Sequence, residues 1–460
     1  MSGIVAVLRV SLSELAGGAG LPPLLDDLGR PVEPMLVVDL DAPADPALLR
    51  AARDAAAGTD RILVGVRTRT SLDEEWHGLL AALDMTLVQV ASRGAPVSEV
   101  PAGPPQASAP GEASAPGEAV AGREASSSRA EVGRAGASRA EAGRAGAGRA
   151  GAGRAGAGRA GAGRAEAARA GAGQAEMGRA GVGLSGGGPA GALREMPVFC
   201  VAVDDPVARA GELHAAVTAC PQAATVLAQV LRASAELDVR RALDVESFAY
   251  STLLGGSEFR RWLAARGPRP LPPPARVPPV LVERAGGHLL ITLNRPERRN
   301  AYGREVRDAL VDALRVAVLD PGIGRVTVSG AGPVFCAGGD LDEFGTAPDT
   351  AIAHFVRTRG GAGELLHRIA HRAEVRLQGA CVGAGIELAA FAGRVVAAAG
   401  TTVRLPEVAM GLIPGAGGTV GIPRRIGRWR TCYLALSGAR LDAATALRWG
   451  LVDALAAEAL

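Results

Sequence analysis

Residues 378–399 read QGACVGAGIELAAFAGRVVAAA. Small residues dominate its first part, where they let the backbone turn tightly and come close to a ligand. Gly383-Ala384-Gly385 is placed to start a helix that continues through Glu387. Upstream, RVTVSG (325–330) reads as a strand running into a second small-residue turn, GAGPVFCAGGDLDEF (330–344). Downstream, RLPEVAMGLIPGAGGT (404–419) sets Pro406-Glu407 on a turn ahead of a third. Any one such turn often does no more than permit tight packing, so the information lies in their order.

In that order LNRPERRNAY (293–302), FCAGGDL (335–341), GAGIEL (383–388), Pro406-Glu407 and IPGAGGT (413–419) resemble the enoyl-CoA hydratase/isomerase, or crotonase, family over residues 281–454. The resemblance implies an α/β fold, with a crotonase-like spiral of ββα units over 280–460. It implies an acyl-CoA substrate, no cofactor (CoA being part of the substrate), and a homo-oligomer, a trimer or a dimer of trimers.

Reactions at C2 and C3 of an acyl-CoA thioester build negative charge on the thioester oxygen, which two pre-aimed N–H groups stabilise. By resemblance these oxyanion-hole donors are the backbone of Gly339, before Asp340, and of Ala384, three residues before Glu387. Ala serves as well as Gly there if its φ is ordinary, because the donor is main chain. Glu387 and Glu407 fall where the family's hydratases place two glutamates around one water. Two carboxylates form an acid/base device when the site keeps their pKa values apart. Taken singly, a Glu in a first helical turn or after a proline often only complements a dipole or caps. Asn294, Arg298, Arg299, Asn300 and Ala301 match the loop along which CoA lies, with either or both arginines suited to its phosphates. The leading function is hydration of a 2-enoyl-CoA. The alternatives are an enoyl-CoA isomerase or another crotonase-fold acyl-CoA enzyme, or an acyl-CoA-binding pseudoenzyme.

Two departures from the family stand out. The strand before the 378–399 turn, AEVRLQG, carries Glu374 and Arg376, which either pair on one face or meet a partner domain. The chain also ends soon after GLVDAL, where the family continues with helices that close the acyl pocket. Apolar residues at helical spacing over 206–267 resemble those helices, and LLAALDMTLV (79–88) echoes LAAFAGRVVA (388–397). In that register Glu74–Gly78 replaces Gly383–Glu387, so the upstream segment lacks the donor turn and the acid. The expectation is a degenerate α/β crotonase-like lobe over 1–100 and a strand plus closing helices over 193–267, ahead of the 280–460 core. Those helices would cover the active pocket, within the chain or across subunits.

Between them, Arg recurs every fifth residue from Arg129 to Arg179, broken only at Gln174, in units such as AGAGR. This stretch has almost no large apolar side chain to offset the entropy of ordering a backbone, about 1–2 kcal/mol per residue, so 101–192 is expected not to fold. The 129–179 repeat contributes +6 of charge to a chain whose formal total is +3, so the remainder is net acidic. A nucleic-acid-binding arm is the competing reading, but no nucleic acid is expected. PRPLPPPARVPP (268–279) is a stiff linker.

The remaining features are exclusions. No apolar run reaches transmembrane length and no signal peptide is evident, so a cytoplasmic protein without a membrane partner is expected. The five cysteines are far apart with no CxxC, and Cys336 and Cys381 read as small packing residues. His367 and His371 have helical spacing but no third ligand, so no metal site is expected.

Overall fold

Runs of β-branched residues between capped helices set the layers of this chain. The computed structural model describes residues 7–18, 23–69, 73–89 and 196–457. All belong to one unit, Met1–Pro105 with Ala192–Leu460; the repeat expected to remain unfolded lies outside the described residues.

The first half is a parallel sheet with strands in sequential order: β1 (Arg9–Val10), β2 (Met35–Asp39), β3 (Ile62–Arg67), β4 (Met85–Gln89) and β5 (Cys200–Val203). β3 is buried at all positions, as a parallel strand covered on both faces must be. Leu36, Val38 and Leu63 pack with α1 (Leu12–Gly17), α2 (Pro46–Ala57) and α3 (His77–Ala82). The alternate residues Met35, Val37, Ile62 and Val64 face the main core, which α4 (Pro206–Ala219) and α5 (Pro221–Ala233) enter. Asp45 caps α2 by accepting from Leu48 N at 2.8 Å, with Pro46 in the first turn. β5, read in sequence as part of a separate segment, is the fifth strand of this sheet. After it, α6 (Val239–Leu254) and α7 (Ser257–Arg266) complete the helical run.

The second half opens with the antiparallel pair β6 (Val280–Ala285) and β7 (His288–Leu293), followed by α8 (Arg304–Leu319) and β8 (Arg325–Gly330). Next come α9 (Thr350–Gly360), α10 (Gly363–Arg368), β9 (Ala373–Leu377), β10 (Ala380–Val382) and α11 (Ala384–Ala389). The chain continues through β11 (Arg394–Ala397), β12 (Thr402–Arg404), α12 (Gly418–Ser437), β13 (Leu441–Asp442), α13 (Ala443–Trp449) and β14 (Ala454–Leu455). Strands β6-β7-β8-β9-β11-β14 form one sheet, in which all pairs but the first are parallel, and β10-β12-β13 form a small second sheet. The five parallel strands β7-β8-β9-β11-β14 thus repeat the sequential order of β1 to β5.

The halves share one core, from Met35 and Ile62 through Leu227 on α5 to Leu434 on α12. Buried Asp84 pins them: it accepts from Leu63 N at 2.9 Å and from Arg232 Nε at 2.9 Å, with Arg428 of α12 at 3.4 Å. The proline linker lies along the second half, where Arg295 donates to Pro273 O at 3.1 Å. Glu374 pairs on the sheet face, ringed by Arg376, Arg394 and Arg325 at 2.8, 3.4 and 3.5 Å. No helix among the described residues is long and apolar enough to cross a membrane.

Candidate active site

The three small-residue turns converge on a cavity of about 470 Å³. A parallel backbone β-bridge at Cys336 and Cys381, both free thiols, joins the first two turns. Gly385 lets them meet, since a Cβ there would stand 2.3 Å from Cys336 O. Gly383 takes φ +48 at the start of α11, while Ala384 is not among the positive-φ residues, the condition set above for alanine at the expected donor position. Gly339 and Ala384 both line the cavity. Among the described residues neither N–H has an acceptor. Asp340 holds the first turn, accepting from Arg298 Nε at 2.9 Å and Nη2 at 2.7 Å.

Three carboxyl groups meet in the cavity wall: Glu387 on α11, Glu407 on the turn after β12, and Glu246 on α6, respectively 2%, 8% and 2% exposed. Four successive amides ahead of and entering α12 alternate between two of them. Glu387 Oε2 accepts from Ala416 N at 2.7 Å and Gly418 N at 2.9 Å. Glu246 accepts from Gly417 N at 2.8 Å, Thr419 N at 2.9 Å and Thr419 Oγ1 at 2.7 Å. The third differs: Glu407 Oε2 is buried without a hydrogen-bond partner among the described residues. Its Oε1 would stand 2.4 Å from a Cβ on Gly383, whose φ of +48 also favours glycine, so a substitution there would displace this carboxyl group.

Burial raises all three acids. Glu407 is pushed up to about 8 by desolvation, with the Glu246 charge adding to it and Arg404 opposing. Glu387 is raised well above the carboxylate range by burial, then by Glu407 and Glu246. Glu246 is pushed up to about 7 by burial against its Thr419 and Gly417 donors. The charges also oppose one another's ionisation, Glu246 raising both Glu387 and Glu407, and Glu407 raising Glu387.

Glu246 was not singled out in the sequence, nor were Tyr250 and Arg357, which line the same cavity. The Tyr250 ring lies against Gly415, whose added Cβ would meet it at 2.3 Å, and the Arg357 guanidinium sits 4.6 Å over it. Glu246 and Tyr250 show that α6 closes this cavity from within the same chain.

The residues matched to the CoA loop do not line the cavity, which takes Tyr302, Arg304 and Arg307 from the adjoining stretch instead. Asn300 is fully buried, and its side chain accepts from Arg295 N and donates to Ala331 O and Val334 O. Asn294 donates from its side chain to Pro278 O at 3.0 Å. Arg298 is bound to Asp340 and Asp342. These three side chains brace the loop, while Arg299 remains exposed and Ala301 half-buried. Cys336 and Cys381 are buried, and burial pushes the Cys336 thiol up to about 12. Among the described residues no cluster of three His, Cys, Asp or Glu could hold a metal ion.

Comparison with known proteins bears on the family of the second half. A family model for enoyl-CoA hydratase/isomerase matches residues 283–460. A protein of Mycobacterium bovis named as a probable enoyl-CoA hydratase is 34% identical over 176 residues, 38% of this chain and 67% of that one. The 2,3-dehydroadipyl-CoA hydratase of Escherichia coli is 35% identical over 174 residues, 38% of this chain and 68% of its own. An enoyl-CoA hydratase crystal structure from Thermoplasma volcanium aligns with a TM-score of 0.37 and 32% identity, covering 40% of this chain and 73% of that one. With the three turns in family order and relatives matched over two thirds of their length, the chain belongs to the enoyl-CoA hydratase/isomerase family.

Proposed function

We propose that the protein adds water across the C2=C3 bond of a 2-enoyl-CoA thioester. The observation that carries this reading is the pair of buried carboxyl groups, Glu387 and Glu407, in one cavity with the free N–H groups of Gly339 and Ala384. A thioester oxygen held by those donors can take up negative charge as C3 is attacked. Glu387, whose Oε2 accepts two amide N–H groups, is the better carboxylate and takes a proton from water. Glu407, whose Oε2 is buried without a donor among the described residues, serves as the acid. The water oxygen bonds to C3, the π electrons pass to the thioester oxygen, and they return to C2 as it receives the Glu407 proton. The sum is one water added, with CoA entering as substrate and no resident cofactor required.

The closing helices belong to this reading. In this reading the first half is a degenerate crotonase-like lobe, which the repeated strand order supports, and its helix α6 lines the second half's site. The test is loss of the conjugated-thioester absorbance of crotonyl-CoA. Turnover abolished in a Glu387→Gln, Glu407→Gln double variant supports hydration, and the same rate in variant and wild type refutes it.

A further inference from the structure

Two polar side-chain atoms in the cavity wall are buried without a partner among the described residues, Glu407 Oε2 and the hydroxyl oxygen of Tyr302. Glu407 has a place in the proposed reaction and Tyr302 has none. A buried hydroxyl left unpaired is costly, and most such groups in folded proteins find a partner. The backbone group that acts on this one is the Ala362 N–H. An amide N–H can only donate to the phenol oxygen, so the phenol proton still lacks an acceptor. Burial raises the phenol pKa, which keeps that proton in place near neutral pH.

The residue stands beside the expected oxyanion hole. Its N–H donates to Gly338 O at 2.8 Å, and its backbone forms a parallel β-bridge with Gly339. Its ring packs against the main core while lining the cavity, so the hydroxyl is held in place rather than free to turn to solvent.

A bound substrate offers few acceptors there. An unsubstituted 2-enoyl chain has none, and the thioester oxygen is matched with the N–H groups of Gly339 and Ala384. The next acceptor along the molecule is the carbonyl of the pantetheine amide nearest the sulfur. Building on the hydratase reading, we infer that Tyr302 is a substrate-binding residue whose hydroxyl donates to the carbonyl oxygen of that amide. This bond is the same in substrate, transition state and product, so it sets affinity and leaves the barrier of the bound complex alone.

The test is Tyr302→Phe, which removes the hydroxyl and keeps the ring. In crotonyl-CoA hydration KM is expected to rise about 3- to 10-fold at unchanged kcat, the range of one neutral hydrogen bond. The thermal midpoint of the ligand-free variant should equal or exceed that of the wild type, because the unpaired group is gone. A hydroxyl with only a structural role would do the opposite, lowering the midpoint and sparing KM. The crotonyl thioester of N-acetylcysteamine, which ends just beyond the amide in question, should lose kcat/KM by the same factor. An unchanged KM for crotonyl-CoA, a fall in kcat in its place, or a loss confined to the full CoA thioester overturns the inference. Calorimetric binding of butyryl-CoA, which has no double bond to hydrate, separates this contact from the hydratase reading. Weaker binding to the variant than to the wild type, with no turnover of crotonyl-CoA by either, keeps the contact and rejects hydration. Equal binding to both rejects the contact, whether or not crotonyl-CoA is hydrated.

Discussion

Replacing Glu246 by Gln should impair a reaction whose residues lie more than ninety positions away in sequence. The side chain is 2% exposed and accepts three hydrogen bonds from Gly417 and Thr419. An amide has one acceptor oxygen. Its least costly orientation keeps that oxygen on Thr419 and turns the NH2 against the Gly417 N–H. One charge-assisted bond is then lost and a buried donor is left opposed, about 1.5–3 kcal/mol. Removing a charge whose pKa burial had raised offsets part of this, leaving a net loss of roughly 1–2 kcal/mol in stability. The larger effect falls on chemistry. The displaced amide lies between Ala416 and Gly418, the two that hold Glu387, so kcat should drop about 10- to 100-fold, at 1.4 kcal/mol per decade. The crotonyl-CoA absorbance assay measures this, with thermal unfolding followed in parallel. A pH profile separates positioning from general loosening. The Glu246 charge raises both Glu387 and Glu407, so its removal should move the alkaline limb toward acid. A variant with the kcat and alkaline limb of the wild type, merely less stable, would refute the reasoning.

Two further outcomes follow from the same cluster. Glu407 has a folded pKa near 8 against an ordinary 4.5, so between those values the folded state binds the extra proton and stability falls as pH rises. Glu407→Gln should flatten this decline in denaturant melts taken between pH 5 and 8, and a decline as steep as the wild type's would show that Glu407 is not its source. A chain beginning at Val280 loses Glu246, Tyr250 and the Asp84 anchor of α12, and should show no hydration of crotonyl-CoA even if soluble. Full activity would mean that the upstream helices do not complete the site.

The convergence of the C-terminal turns and of Glu387 and Glu407 on one cavity was legible because the pattern is local in sequence. A donor turn, an acid one helical turn later and a second acid on the next turn form a short pattern, GAGIEL followed by Pro406-Glu407. The same holds for the capped helix at Asp45-Pro46, whose start depends on neighbours three residues apart. The CoA loop was less legible. Arg298 and Asn300 lie in the right stretch, but the choice of partner, Asp340 for one and Ala331 with Val334 for the other, depends on turns more than 30 residues on. Sequence also left β5 apart from the sheet it completes, because parallel pairing has no local turn to announce it.

What the sequence determined by itself is the set of turns, the two glutamates and the family they mark, since each rests on backbone conformations and spacings written within a few residues. Only the tertiary structure decided that Glu246, Tyr250 and Arg357 share a cavity with those glutamates. On α6 a Glu, a Tyr and two serines look like an ordinary helix face. They become part of a site because α12 and α9 pack beside them, and burial then leaves each polar group dependent on the partners it finds there.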